Sequence, residues 1–153
     1  KAEFTRIADV VQRRKKDAVL NLILGSLIEP HLGEGEICAL SYYPSTQAAL
    51  AKTCLRGEEK AAERFELYFK GIELANGYHE LADADEQRIR LLEANIHRKQ
   101  LGKDMLPVDN LFLDALKKGL PDCCGVAVGF DRLMMLRHSQ EIGHVIPFAW
   151  NEA

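Results

Sequence analysis

Glu63-Arg-Phe-Glu-Leu-Tyr-Phe-Lys-Gly-Ile-Glu-Leu-Ala-Asn-Gly-Tyr-His-Glu80 is the stretch on which the reading of the fold turns. It reads as a β-hairpin with its turn near Phe69-Lys70, pairing residue 67 with 72, 66 with 73 and 65 with 74. Phe65, Leu67, Ile72 and Leu74 then share one face, and Glu66, Tyr68 and Glu73 the other. This register sets Glu66 and Glu73 directly opposite each other. Like charges across a strand pair repel, and a shared site raises one carboxyl's pKa unless a cation intervenes. Paired carboxylates suit Mg²⁺, which takes one or two of them together with substrate phosphates. The hairpin alone favours a plainer reading, a solvated edge whose carboxylates face water.

Outward from the hairpin, composition bounds the rest. A chain of 153 residues, 47% hydrophobic and 28% charged, is long enough for one domain with a real core. The formal charge of −3 argues against a broad basic surface for nucleic acid. Cys38, Cys54, Cys123 and Cys124 lack C-x-x-C spacing, which predicts reduced thiols and a cytoplasmic protein. No apolar run has the length to span a membrane. The chain opens on Lys1 without an initiator Met, and a piece of a longer protein is the expectation.

The pattern predicts an α+β domain, an antiparallel sheet flanked by helices. Residues 1–35 form a helical lead-in, with apolar spacing over 4–12, a solvated basic run at Arg13–Lys16, and a second helix capped by Asp17 and running to Ile28. Residues 36–43 read as a largely buried strand ended by Pro44. Ser45–Lys52 is helix-permissive, and Leu55–Glu59 reads as a mobile charged loop. Asp83 and Glu86 make a capping box for a helix whose apolar stripe is Ile89, Leu92 and Ile96. Asp109 starts another helix with Phe112, Leu113 and Leu116 inward, closed by Gly119. Cys124–Gly129 is a strand running straight into a helix from Phe130 to Leu136. His138 marks a break, and Val145–Phe148 reads as a short closing strand.

The strand-to-helix turn at Gly125-Val-Ala-Val-Gly129-Phe-Asp-Arg132 is the second chemical signal. Glycines there let a ligand approach the backbone, the helix start favours an anion, and Arg132 is placed to form charge-assisted bonds to phosphate. Packing glycines and an Arg132–Asp131 pair explain the same pattern without a ligand.

Together, F-E-L-Y-F-K-G-I-E-L-A-N-G-Y-H-E-L (65–81) and P-D-C-C-G-V-A-V-G-F-D-R-L-M-M-L (121–136) resemble the C-terminal half of a class II aminoacyl-tRNA synthetase core, lysyl branch. The second stretch is similar to the third signature motif of that superfamily. Ala75 and His79 stand where lysyl-tRNA synthetases tend to read E-I-G-N-G-F-S-E-L, and Ala127 replaces the middle Gly of G-L-G-I-G-I-D-R. These departures resemble the branch of lysyl-tRNA-synthetase-like ligases that modify elongation factor P with (R)-β-lysine.

The resemblance implies roles position by position. Glu66 and Glu73 would hold Mg²⁺ against the phosphates of ATP, and Glu73, Leu74, Gly125, Gly129 and Arg132 would form the ATP site. Glu73 and Arg132 would be the catalytic residues, with Arg132 gripping the γ-phosphate. Asn76, Glu80 and Ala127 would line the substrate site, with Glu80 pairing the side-chain ammonium of a lysine-type substrate. The implied function is ATP-dependent activation of (R)-β-lysine as an adenylate and its transfer to a lysine of elongation factor P, by an enzyme expected to be a homodimer. One alternative is the same portion of a lysyl-tRNA synthetase, the only reading that makes tRNA a partner. Another is a silent paralogue acting as a binding subunit. No F-R-x-E string, the setting of the superfamily's α-phosphate arginine, occurs here. About half a catalytic domain, inactive alone, is therefore expected.

Overall fold

The hairpin sits at the centre of the sheet. In a computed structural model, which describes residues 16–150, β3 (Glu59–Phe69) and β4 (Ile72–His79) are joined by Lys70-Gly71. Both turn residues have positive φ, 51° and 72°, the geometry whose twist matches the flanking strands. The turn lies one residue later than the alternation suggested.

Around the hairpin, β1 (Cys38–Pro44) pairs with β3 and β5 (Cys124–Val128) pairs with β4, every pair antiparallel, in the order β1-β3-β4-β5. β2 (Thr53–Arg56) pairs with the first residues of β3, on the edge that β4 leaves free. The segment expected to be a mobile loop, Leu55–Glu59, is the tight connection of this β2–β3 hairpin, with Gly57 at φ 64°.

Helices flank the sheet. α1 is described from residue 16 to 23 and passes through a π turn (Leu24–Ile28) into a 3-10 turn (Glu29–His31). Asp17 does not cap it. Position 16 is already helical, and the Asp17 carboxylate accepts instead from Thr46 Oγ1 at 2.6 Å. The expected 4–12 helix and nearly all of the basic run lie outside the described residues. Ser45–Gln47 is one 3-10 turn rather than the start of a longer helix.

α2 (Ala84–Gln100) is capped by Asp83, whose Oδ1 accepts from the amides of Asp85 and Glu86, each at 2.9 Å. Glu86 does not complete the box; it pairs one turn on with Arg90 at 2.5 Å. Asp109 caps α3 (Asn110–Lys117) through the Phe112 amide, and Leu113 and Leu116 are buried as expected. α4 (Phe130–His138) follows β5 after Gly129 alone and ends at Ser139, in the left-handed region at φ 50°.

Three expectations about burial and strand content do not hold. β1 is mostly exposed, because it is an edge strand and only Tyr43 turns fully into the core. The α2 stripe Ile89, Leu92 and Ile96 is 39–45% exposed, while the polar Gln87 and Asn95 are buried. Asn95 is satisfied by the backbone of Leu106, accepting from its amide at 2.9 Å and donating to its carbonyl at 2.7 Å. Val145–Phe148 is not a strand; a 3-10 turn at Ile142–His144 leads into bends, and Pro147 lacks the donor a ladder needs.

Candidate functional site

Two irregularities in the ladder decide which side chains meet. Tyr68 pairs with Glu73, but Leu67 pairs with Ala75, so Leu74 is an extra residue in β4. Beyond it Glu66 pairs with Asn76 and Arg64 with Tyr78. Glu66 and Glu73 therefore share a face but are not opposite each other, which corrects the expected register. The physical reason is the bulge, which inserts a residue into one strand and shifts every pair after it. It also has a use. Glu73 and Asn76 are three apart, a spacing that regular alternation sends to opposite faces, and Leu74 returns both to one face.

The second irregularity lies between Ser41 and Tyr43 in the β1–β3 ladder. Tyr42 there sits at φ 63°, strained for a bulky residue. The Tyr43 hydroxyl is thereby brought to Glu66.

Glu66 is the centre of what forms on this face, and it is buried at 6% exposure. Its Oε2 accepts from Tyr43 at 2.5 Å and from Tyr68 at 2.6 Å. Its Oε1 pairs with the Arg64 guanidinium. Arg64 also donates to Asn76 Oδ1 at 3.4 Å and to the Gln47 carbonyl at 3.3 Å, and its guanidinium lies over the Tyr43 ring at 4.4 Å. Burial, then the Glu66 carboxylate, push both tyrosine hydroxyls far above the ordinary range, so they remain protonated donors. Sequence reasoning missed this clamp. Tyr68 was visible on the right face, but Tyr43 and Arg64 depend on strand pairing that no local pattern reveals.

On the same face, Ala127 pairs with Asn76 and Gly125 with Tyr78. Glu80 follows, and its Oε1 fills the space where a β-carbon on Gly125 would stand. No hydrogen bond or ion pair among the described residues engages that carboxylate. Gly129 is used the same way: a β-carbon there would meet Arg132 Cδ at 3.3 Å. Arg132 thus folds back over the strand end, donating to the Glu73 carbonyl at 2.6 Å with the Glu73 carboxylate at 3.8 Å. Leu74 is buried and its carbonyl accepts from the Gly129 amide at 2.8 Å, tying β4 to the start of α4. The glycines expected to admit a ligand are occupied by the chain's own acidic and basic side chains.

A cleft of about 820 Å³ opens beside the clamp, between Ser45–Leu50, Lys60, Arg64 and the α2 face from Glu86 to Ala94. It does not reach Glu80 or Arg132. The site face therefore extends beyond this open cleft.

Fit to a divalent cation follows from counting acceptors. A carboxylate has about four lone-pair positions, two per oxygen. Tyr43 and Tyr68 take both on Oε2 of Glu66, and Arg64 takes one on Oε1, leaving one free. Glu73 is partly exposed on the same face, its carboxylate held only by the Arg132 ion pair at 3.8 Å among the described residues. Among the described residues no group of three or more His, Cys, Asp or Glu gathers for a metal. These two carboxylates fit Mg²⁺ with a ligand's own oxygens completing its shell.

A separate charged cluster lies on the opposite face. His79 Nδ1 is 2.8 Å from Glu63 and its Nε2 2.7 Å from Asp122, with Lys52 Nζ 3.2 Å from Nε2 and paired to Asp122. Asp122, then Glu63, raise the His79 pKa above its ordinary value, and Lys52, then His79, depress Asp122 to about 2. The sequence pattern gave His79 no partner. Its two acidic partners come from residues 16 before it and 43 after it, beyond the reach of spacing arguments.

Comparison with known proteins adds the following. Residues 31–152 match the family model described as tRNA synthetases class II (D, K and N). The chain is 46% identical over 154 residues to an elongation factor P–(R)-β-lysine ligase of Klebsiella pneumoniae subsp. pneumoniae, covering 100% of this chain and 46% of that protein. It is 44% identical over 149 residues to the protein of that name from Yersinia enterocolitica, covering 97% and 45%. It is 45% identical over 149 residues to that of Proteus mirabilis, covering 97% and 45%. The chain thus spans about half the length of the curated relatives it matches. All five strands of the described residues, the bulged hairpin and the turn into α4 fall inside the matched residues: the chain belongs to the class II tRNA synthetase family (D, K and N).

Proposed function

We propose that this chain carries the ATP end and the amino-acid end of a lysyl-type, adenylate-forming ligase, with (R)-β-lysine as the amino acid and a lysine of elongation factor P as the acceptor. The observation that carries the reading is the Glu80 carboxylate, set over Gly125 and engaged by no described residue. A partly buried, unengaged carboxylate is complementary to a ligand cation, and neutral analogues lose the charge pairing it offers. The relatives' name supports β-lysine and elongation factor P over other ammonium substrates.

In this reading the substrate carboxylate attacks the α-phosphorus of ATP, the bond to the bridging oxygen breaks, and pyrophosphate leaves. The acceptor amine then attacks the acyl carbon, AMP leaves, and the amine loses a proton to solvent. Asn76 orients the substrate's polar head, and Arg132, beside Glu73, holds the terminal phosphate. Glu66 and Glu73 hold Mg²⁺, which when bound neutralises phosphate charge. No protein nucleophile is needed, because positioning and charge neutralisation carry the chemistry. Residues 1–153 together form a C-terminal portion of the catalytic domain.

The test is ATP–pyrophosphate exchange by the full-length enzyme that carries this portion, with (R)-β-lysine, α-lysine and norleucine. Exchange is expected with β-lysine ahead of α-lysine and absent with norleucine. A preference for α-lysine with aminoacylation of tRNA favours the synthetase alternative, and exchange indifferent to the ammonium overturns the Glu80 assignment.

A further inference from the structure

The clamp around Glu66 does more than satisfy a buried acid. Three donors from two strands converge on one carboxylate, and they are distributed unevenly: two hydroxyls on Oε2, one guanidinium on Oε1. Tyr68 is 1% exposed, so water cannot replace its hydroxyl without rearrangement. Its oxygen also lies 3.2 Å from Glu29 Oε1, but one hydroxyl proton cannot serve two acids, and the shorter contact to Glu66 takes it. One acceptor position, on Oε1, remains.

We propose that Tyr43 and Tyr68 are positioning residues that seal Oε2, so that Glu66 serves a divalent cation through Oε1 alone and the site takes Mg²⁺ in preference to Ca²⁺. The proposal rests on the reading of Glu66 and Glu73 as the cation's ligands. Its chemistry is that of the two ions. Ca²⁺ accepts carboxylates through both oxygens in a loose shell of six to eight ligands, whereas Mg²⁺ demands a near-ideal octahedron of single-oxygen ligands. A carboxylate that offers one oxygen at a fixed angle serves the second ion and handicaps the first. Arg64 adds to the effect by fixing the rotation of the carboxylate about its own axis. Tyr43 reaches this face through the register shift after Ser41, where Tyr42 is left-handed, so the strained residue in β1 belongs to the same device.

The experiment is calorimetric titration of the chain with MgCl₂ and with CaCl₂, in the presence of a non-hydrolysable ATP analogue, for the wild type, Tyr43→Phe, Tyr68→Phe and Glu66→Gln. Each Tyr→Phe change removes one oxygen and opens one acceptor position on Oε2. The Ca²⁺-to-Mg²⁺ affinity ratio is expected to rise about tenfold in each, the scale on which partners behind a metal ligand act. A purely structural role for the tyrosines lowers both affinities together, so a folded variant with an unmoved ratio overturns the proposal. Mg²⁺ binding that survives Glu66→Gln, or its absence from the folded wild type, overturns the metal reading and the proposal with it. Should both tyrosine variants fail to fold, infrared difference spectra of ¹³C-Glu-labelled wild type decide. A single-oxygen carboxylate splitting on Mg²⁺ addition supports the proposal, and a two-oxygen splitting overturns it.

Discussion

At Gly125 the space a β-carbon would fill is held by Glu80 Oε1, and Gly125 itself has no positive φ to protect. Gly125→Ala therefore acts through Glu80 and not through backbone strain. In the full-length enzyme, the one in which these exchange variants are measured, it is expected to raise KM for the lysine-type substrate as Glu80→Gln does. The double variant should be no worse than the more severe single, since residues in contact are non-additive; additive losses in exchange assays contradict the shared cause. Ala127 pairs with Asn76 on the same face. Its methyl, relative to glycine, is worth roughly 1–3 kcal/mol of discrimination in a shaped pocket. Ala127→Gly is expected to shift the exchange preference from β-lysine toward α-lysine, and an unchanged ratio in a folded variant reduces Ala127 to packing. Glu73→Gln should cripple exchange while leaving the fold intact, as judged by circular dichroism. At this scale the residues that carry the family's motifs were legible in the sequence. Tyr43 and Arg64 were not, because what makes them matter is a strand pairing and a left-handed Tyr42.

Among elements, the sheet and both capped helices could be read locally, since Asp83, Asp109 and the 124–128 run announce themselves. The β2–β3 hairpin could not, because charged residues at a turn look like any loop, and the apolar stripe of α2 gave no hint that it would stay partly exposed. Capping supplies a direct check. Asp83→Ala removes the acceptor for two amides at the start of α2 and is expected to cost about 1 kcal/mol in denaturant unfolding. The His79 cluster gives a pH dependence. Asp122, then Glu63, raise His79 above its ordinary value of 6.5, so the stability it adds is fully present below 6.5 and lost as pH rises through the raised value. Asp122 is lowered from 3.8 to about 2, so its contribution is present above 3.8 and lost as pH falls toward 2. Melting temperature should therefore plateau between these limits. In the tautomer protonated at Nδ1, neutral His79 still donates to Glu63 and has an Nε2 lone pair for Lys52, an arrangement expected to make the alkaline decline shallow. Lys52→Met removes that second arrangement and should steepen the decline; a slope unaltered by both Lys52→Met and His79→Gln assigns it elsewhere.

The whole molecule presents apolar surface on several sides. Among the described residues Ile89, Leu92 and Ile96 on α2 and Val126 and Val128 on β5 are left partly exposed, and Phe148 and Trp150 are 86% and 96% exposed. Exposed patches of this kind drive association. Light scattering is expected to show self-association of the 153-residue chain, and a monodisperse monomer at high concentration would falsify that. Because no F-R-x-E sequence is present, the chain by itself should not catalyse exchange. Among the described residues no helix is long and apolar enough to cross a membrane.

The extra residue at Leu74 has a consequence for how the chain reaches its fold. The turn at Lys70-Gly71 starts the ladder in one frame, and the bulge finishes it in another. A hairpin zipping outward from the turn without interruption would pair Leu67 with Leu74 and carry Asn76 to the wrong side. Nothing in the two strands alone forbids that slip, since Phe65, Leu67 and Leu74 match one another well enough. The native frame is enforced later, when β5 sets Ala127 against Asn76 and the Gly129 amide claims the Leu74 carbonyl. The excised peptide 63–80 should thus populate both frames in solution, and in the intact chain the docking of β5 should be the slow, frame-correcting step.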